Sequence, residues 1–235
     1  IKLAKETGLS VDNVTLPNVT FGYTDVPEAT INITNIGAAE LKITNVTVSD
    51  GFEINISSQP TIGIGATNTD FKVKAKTGLN AGNHTGTITV TDIDGKTYTA
   101  TVTLKVEPKE LTGLGISGLD STWVYGTTKT PTATGVDDLG ADGYEIIYSK
   151  KDSSGNYANI GNKLPILVGE YKATLSVKNP NYTANEASVY FEITPITTEV
   201  KVKSFDDTFT YDGTEHTKNA YDVLWANNAS PITDK

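Results

Sequence analysis

Apolar and polar residues alternate along much of the first hundred positions, as in strands that bury one face. The clearest cases are residues 29–36, where Ile31 and Ile33 share a face, and residues 71–76, where three lysines occupy the opposite face. Turn-forming Gly, Pro, Asn and Asp separate such segments about every 8–12 residues. This pattern predicts an all-β fold of tandem immunoglobulin-like β-sandwich domains.

The first predicted module covers residues 1–107. One strand is expected over residues 14–21, ending at Gly22, and an Asp-Gly turn at Asp94 is expected to join the last hairpin. About seven strands fit into some 100 residues of this module, which is the usual content of a sandwich.

A second module is predicted over residues 108–194. Its strand patterns are clearest over residues 144–148, 169–177 and 187–193. Because proline removes a backbone donor and fixes one backbone angle, Pro108 is expected to end one module and stiffen the junction with the next.

An internal repeat indicates a third module. Trp123 and Tyr125 recur 86 residues later as Phe209 and Tyr211, each pair close to a glycine. A repeat of this length predicts one module per copy, so residues 195–235 are interpreted as the start of a further, truncated repeat. Such a partial module would leave open strand edges, which predicts self-association through this segment or pairing with the second module.

Composition excludes several classes of function. The net charge is −9, and all 19 basic residues are lysine, so nucleic-acid binding is not expected. The chain has no cysteine, which excludes disulfides and thiolate metal sites. No apolar run approaches the roughly 20 residues that span a bilayer, so no membrane span is predicted, and any export signal or anchor is expected outside this sequence.

The second module carries the motifs of a known family. These are Tyr125-Gly126 and the segments at residues 168–175, 179–182 and 190–193. Residues 108–194 thereby resemble the YDG/MBG-type immunoglobulin-like repeats of bacterial surface proteins. Residues 9–107 are similar to immunoglobulin-like modules that flank such repeats in large exported bacterial proteins. The resemblance implies a secreted or cell-surface location and no particular activity.

Catalytic groups are scarce in this sequence. The two histidines, His84 and His216, lie in loops of different modules with no acidic or nucleophilic partner evident in sequence. Adjacent carboxylates such as Asp206 and Asp207 are interpreted as turn residues, because neighbours in a strand point to opposite faces. No catalytic residue is predicted, and the protein is not expected to be an enzyme.

Calcium is the one cofactor that the sequence suggests. Asp137, Asp138 and Asp142 place hard oxygen ligands on a single loop. The loop at Asp92 and Asp94 is a weaker candidate, because it lacks the closing glutamate of an EF-hand and reads equally well as a hairpin turn.

Aromatic residues offer a candidate binding surface. Trp123 and the strand containing Tyr144 and Tyr148 are assigned to the core. Tyr157 and Tyr182 are the predicted contacts with a partner, which could be a polysaccharide, a mucin or a host-matrix protein.

These observations predict a non-enzymatic modular segment of a bacterial surface protein that acts as a stalk and adhesion scaffold. Two alternatives stay open at this point. One is a carbohydrate- or matrix-binding module, and the other is a set of accessory domains of a secreted enzyme.

Overall fold

The computed structural model describes residues 6–55, 59–197, 199–204, 208–216 and 221–225. Apart from a 3₁₀ turn at Asp137–Leu139, the described residues form strands and their connections. No helix among them is long and apolar enough to cross a membrane.

The chain divides into two compact units. The first comprises Ile1–Ser117, Thr132–Ile147 and Thr174–Ser188, and the second comprises Gly118–Pro131, Tyr148–Ala173 and Val189–Lys235. This division cuts through residues 108–194, so the module boundaries expected at residues 107 and 194 stay predictions.

The described residues between positions 9 and 107 of the first unit form ten strands. They are β1 Leu9–Val11, β2 Val14–Thr15, β3 Val19–Thr20, β4 Glu28–Asn35, β5 Leu41–Val48, β6 Phe52–Asn55, β7 Thr61–Ile62, β8 Thr67–Ala75, β9 Gly82–Asp92 and β10 Thr97–Glu107. They form a four-stranded sheet in the order β1-β4-β8-β6 and a six-stranded sheet in the order β2-β10-β9-β5-β7, with β3 also on β10.

One core fills the space between these two sheets. It contains the fully buried Ile31 and Ile33 of β4, Phe71 of β8, and Val90 and Val102 of the other sheet. Side chains from both inner faces thus share one core, which is the defining feature of a β-sandwich. The alternation in the sequence predicted the inward residues of β4 and β8, and the predicted all-β sandwich fold is confirmed.

The strand predicted over residues 14–21 is wrong as a single element. The structure has two short strands, β2 and β3, which run parallel to β10 with Val14 opposite Val102 and Val19 opposite Val106. Pro17 lies between them and has no N–H to continue a ladder, so the chain is interrupted there.

The described residues after Glu107 form eleven further strands. Those up to residue 194 are β11 Lys109–Leu111, β12 Gly115–Ser117, β13 Thr122–Val124, β14 Thr132–Thr134, β15 Tyr144–Lys151, β16 Tyr157–Gly161, β17 Gly169–Val177, β18 Tyr182–Ala184 and β19 Ala187–Thr194. The main sheet has the order β13-β19-β17-β15-β16, and β11-β18 and β12-β14 form two-stranded sheets. The three strands predicted in this region are confirmed, with β15 extending to Lys151.

Aromatic rings form the core of the second unit. Phe191 stacks on Trp123 and on Tyr171, with ring centroids 4.8 and 5.4 Å apart, and meets Tyr148 edge-on at 6.3 Å. The assignment of Trp123 and Tyr148 to the core is confirmed, because both are almost completely buried. Burial raises the pKa of the Tyr148 and Tyr171 phenols above their ordinary value.

The segment after residue 194 contributes a hairpin. Strands β20 Val200–Ser204 and β21 Tyr221–Trp225 pair antiparallel with each other. An isolated two-stranded hairpin is only marginally stable in water. Self-association through this segment stays a prediction, and residues 226–235 lie outside the described part of the chain.

Candidate functional site

Tyr157 belongs to an aromatic pair on the second unit. Its ring meets the ring of Tyr190 edge-on, with centroids 5.4 Å apart and planes inclined by 68°. The Tyr190 side chain is 57% exposed. The pair borders a shallow cavity of ≈ 190 Å³ that Glu170 and Glu192 also line. Aromatic surface next to hydrogen-bonding groups suits a ligand that is both apolar and polar.

A charged pair lies beside these rings. Lys151 Nζ is 2.5 Å from Glu170 Oε2, and this hydrogen bond raises the pKa of the lysine. The Lys172 ammonium lies 5.8 Å from the centre of the Tyr190 ring. The surface therefore presents acceptor and donor groups around one exposed aromatic face.

Tyr182 lies in a different setting, within the first unit. Its half-buried ring meets Phe21 edge-on, with centroids 5.4 Å apart and planes inclined by 73°. The two predicted partner contacts therefore belong to different units, and Tyr182 is already engaged by an aromatic neighbour. Contact of either residue with a ligand stays a prediction.

The residue before Tyr182 makes three hydrogen bonds to distant parts of the first unit. Asn181 Oδ1 accepts from the Ala81 N–H at 2.7 Å, and its Nδ2 donates to Asn80 Oδ1 at 3.0 Å. Its carbonyl accepts from the Lys109 N–H at 2.9 Å. The turn at Asn179–Tyr182 thus contacts the loop before β9 and the strand that follows β10.

The same turn is organised internally. Asn179 Oδ1 accepts from the Asn181 N–H at 3.0 Å, and the Tyr182 N–H donates to the Asn179 carbonyl at 3.1 Å. A side-chain oxygen that accepts from a nearby backbone N–H is the usual way in which asparagine fixes a turn. Asn181 is therefore presented in a defined direction.

The proposed calcium loop is divided between two cavities. Asp137 and Asp138 line one cavity together with Lys109, whereas Asp142 lines another with Lys178. Asp138 Oδ2 is 2.7 Å from Lys109 Nζ, and this contact raises the pKa of Lys109. Among the described residues, no three His, Cys, Asp or Glu side chains are grouped as metal ligands would be. Calcium binding by this loop stays a prediction.

Asp92, in the weaker calcium candidate, organises a hairpin. Its carboxylate is buried and accepts from the N–H groups of Asp94 at 3.0 Å and Lys96 at 2.9 Å. It also accepts from the Tyr98 hydroxyl at 3.1 Å. Burial and then this hydrogen bond raise the pKa of Tyr98. Both carboxylate oxygens are thus occupied by the protein itself.

The expectation that His216 has no acidic partner is wrong. Its Nε2 lies 2.9 Å from Asp212 Oδ1 and 3.3 Å from Thr214 Oγ1, and its ring stacks on Phe209. Hydrogen bonds from Thr214 and then His216 lower the pKa of Asp212. Both contacts use the same ring nitrogen, Nε2. His84 Nε2 contacts the Asn80 carbonyl at 2.7 Å.

A cavity that sequence reasoning missed lies at the Tyr125-Gly126 turn. It measures ≈ 370 Å³ and is lined by Trp123, Tyr125, Gly126, Thr127, Thr128, Lys129, Leu164, Pro165 and Ile166. Lys129 Nζ lies 5.7 Å from the centre of the Trp123 ring and forms an ion pair with Asp120. The three consecutive apolar residues before Gly169 are the sequence signal that could have revealed this surface.

Comparisons with known proteins give no family assignment. No protein-family model matches the chain, and no curated protein matches it. Among solved structures, it is similar to the Vibrio cholerae VesB protease at 19% identity over 42% of this chain and 32% of that chain, with a TM-score of 0.31. It is similar to murine CEACAM1b at 15% identity over 80% of this chain and 100% of that chain, with a TM-score of 0.32. It is also similar to mouse clustered PcdhgC3 EC1-3 at 12% identity over 82% of this chain and 68% of that chain, with a TM-score of 0.37. Because a TM-score below 0.5 does not establish a shared fold, the fold class rests on the sheets and cores described above.

Proposed function

We propose that this chain is a non-enzymatic extracellular segment of a bacterial surface or secreted protein that acts as a stalk and adhesion scaffold. The proposal includes membership of residues 108–194 in the YDG/MBG type of immunoglobulin-like repeat. The observation that carries it is the contact of the Asn179–Tyr182 turn with Phe21, Asn80, Ala81 and Lys109.

These contacts favour a stiff connection between residues 9–107 and the strands that follow. A stalk must resist bending at each junction, and a connection of one or two residues limits bending only when side chains also bridge it. Asn181 supplies three hydrogen bonds and Tyr182 supplies ring contact. The net charge of −9 adds repulsion between neighbouring molecules, which supports solubility.

Distance measurements between spin labels test the stiffness directly. The chain has no native cysteine, so Ile64→Cys and Ala141→Cys introduce two label sites, both exposed and both in the first unit. We expect a single narrow distance distribution by double electron–electron resonance. Asn181→Ala combined with Tyr182→Ala should broaden it, and Tyr190→Ala, which removes a tyrosine elsewhere, should leave it unchanged.

A distribution that is broad in the unsubstituted chain would contradict a stalk with a stiff junction. The extracellular location has its own test, in which antibodies against the purified chain are applied to intact cells that express the parent protein. Labelling without permeabilisation is expected, and labelling only after permeabilisation would exclude the location.

A second candidate function is binding of a glycan at the Tyr157–Tyr190 pair. The exposed ring of Tyr190 beside Glu170 and Glu192 favours it. We expect the labelled chain to bind one glycan, mucin or matrix class on an array, with Tyr157→Ala and Tyr190→Ala abolishing the signal. Tyr211→Ala, at an exposed tyrosine outside this surface, is the matched control. A parallel array with calcium tests the loop at Asp137, Asp138 and Asp142.

A further inference from the structure

Two turns in this chain are built in the same way. Phe21 follows β3, which runs parallel to β10, and its N–H donates to the Glu107 carbonyl at 2.8 Å. Tyr125 follows β13, which runs parallel to β19, and its N–H donates to the Thr194 carbonyl at 2.9 Å. Glu107 and Thr194 are the last residues of their strands, and each precedes a proline.

The backbone after each aromatic residue also corresponds. Gly22 and Gly126 have φ angles of +82° and +85°, a conformation that favours glycine. A hydrogen bond of 3.1 Å closes each turn, from Tyr23 to Thr20 in one case and from Thr127 to Val124 in the other. The two aromatic-glycine turns are therefore equivalent elements.

The loops that approach these turns correspond as well. Gly82, with φ +139°, begins β9, and Gly169, with φ +150°, begins β17. The separation of 87 residues equals that between Glu107 and Thr194. Asn80 and Ala81 thus have Leu167 and Val168 as counterparts.

The first of these surfaces is covered. Tyr182 packs on Phe21, and Asn181 bonds to Asn80 and Ala81. The second is open and borders the cavity of ≈ 370 Å³. The exposed fractions are 44% for Tyr125, 72% for Ile166 and 61% for Leu167. Such a group of exposed apolar side chains is typical of an interaction surface.

We propose that Tyr125, Gly126 and residues 164–168, here named the Tyr125 surface, bind the hairpin turn of a β-sandwich module that follows in tandem. The turn would carry the chemistry of Asn179–Tyr182, with a tyrosine ring packed on Tyr125. The inference rests on the proposed stalk function and extends it to a second junction of the same type.

The two surfaces differ in the aromatic residue, which is Phe21 in one and Tyr125 in the other, and at two loop positions. Leu167 replaces Asn80, so an apolar contact takes the place of the amide-to-amide hydrogen bond. Val168 replaces Ala81, whose N–H donates to Asn181 Oδ1, and its own N–H is the expected donor to the incoming asparagine. The Tyr125 surface is thus suited to the same turn with more apolar contact.

The test uses the full chain with a second copy of residues 109–195 inserted after Pro195. Ile160→Cys in both copies provides exposed label sites away from the Tyr125 surface. We expect one narrow distance distribution between the labels. Tyr125→Ala in the original copy should widen it about twofold or more, as a flexible connection allows, whereas Tyr190→Ala in that copy should leave it unchanged.

Three outcomes would overturn the inference. They are a broad distribution in the unsubstituted duplicated chain, a narrow one that Tyr125→Ala leaves unchanged, and a dependence on protein concentration, which would assign the surface to a separate molecule. A second sample of the duplicated chain carries labels at residue 64 and at residue 141 of the original copy, and it reports on the first junction. It separates failure of the Tyr125 surface from failure of the stalk. A narrow first junction with a broad second one rejects only the Tyr125 surface, and two broad junctions reject the stalk as well.

Discussion

The turn at Phe21 and the turn at Tyr125 have the same backbone conformation but differ in the residues that surround them. Phe21 packs against the aliphatic core of its own sandwich and against Tyr182, whereas Tyr125 is 44% exposed. In each turn a hydrogen bond across the turn and a glycine fix the backbone conformation. The residues that cover the Phe21 turn, Asn181 and Tyr182, come about 160 positions later in the sequence. Residues far along the chain thus contact the Phe21 turn, whereas the aromatic ring of the Tyr125 turn stays partly exposed. Under the proposed modular organisation, we expect the Phe21 turn to couple residues 9–107 to the strands that follow.

The largest expected difference between the two turns is in stability. Phe21→Ala should lower the free energy of unfolding by about 2–3 kcal/mol, because it removes a half-buried ring and its aromatic contact. Tyr125→Ala should lower it by no more than about 1 kcal/mol, because Tyr125 is 44% exposed and its truncation removes less buried surface. Chemical denaturation followed by circular dichroism measures both. Equal losses would remove the distinction between a covered and an open turn.

The glycines should behave alike. Gly22→Ala and Gly126→Ala should each cost about 1–2 kcal/mol, the usual price of a left-handed backbone for an L-residue. An added Cβ would have no atom within 4 Å at either position, so the cost is conformational alone. Thermal denaturation of both variants checks this, and a cost at one glycine only would show that the turns are not equivalent.

The side-chain hydrogen bonds of Asn181 at the Phe21 turn should contribute less to the free energy of unfolding than the Phe21 ring does. Asn181→Ala should lower the free energy of unfolding by about 1 kcal/mol, because neutral hydrogen bonds contribute modestly. Asn80→Ala should add almost nothing in the Asn181→Ala background, since its partner is already absent. Fully additive effects in this double-mutant cycle would contradict the contact between the two side chains.

The smallest expected effect is a pH dependence at the covered turn. The Tyr23 hydroxyl donates to the Lys76 carbonyl, and burial raises the pKa of Tyr23 in the folded state. Stability from the neutral phenol is therefore fully present below the unfolded pKa of about 10 and is lost as pH rises through the folded pKa. Tyr23→Phe should flatten the fall in unfolding free energy between about pH 9 and 11. A slope that Tyr23→Phe leaves unchanged would contradict this effect.

The alternation of apolar and polar residues was sufficient to predict the strands that bury one face. Residues 169–177 were predicted as a strand with the bounds that β17 has, and Ile31 and Ile33 were placed in the core. These predictions succeeded because the side-chain period of a strand is local. The effect of Pro17 is equally local, because proline has no N–H for the strand ladder. On this ground the sequence could have predicted two short strands in place of the one expected over residues 14–21.

The surroundings of the candidate residues could not be predicted in the same way. Tyr157 and Tyr182 have similar local sequence contexts, yet Tyr157 pairs with Tyr190 and Tyr182 packs on Phe21. Asp138 and Asp142 are four positions apart and still line different cavities. Such contacts depend on long-range pairing of strands, which a single sequence does not reveal.

The Ala81 amide offers the most direct test of the contact between residues 9–107 and the Asn179–Tyr182 turn. Its N–H donates to Asn181 Oδ1 at 2.7 Å, across 100 residues of sequence. Hydrogen exchange measured by NMR on the unsubstituted chain should show this amide slowed by about 100-fold or more relative to an unstructured peptide, with Asn181→Ala removing most of that protection. An Ala81 amide that exchanges in the native chain as fast as in a free peptide would contradict the account, because the contact that joins residues 9–107 to the Asn179–Tyr182 turn would then be open in solution.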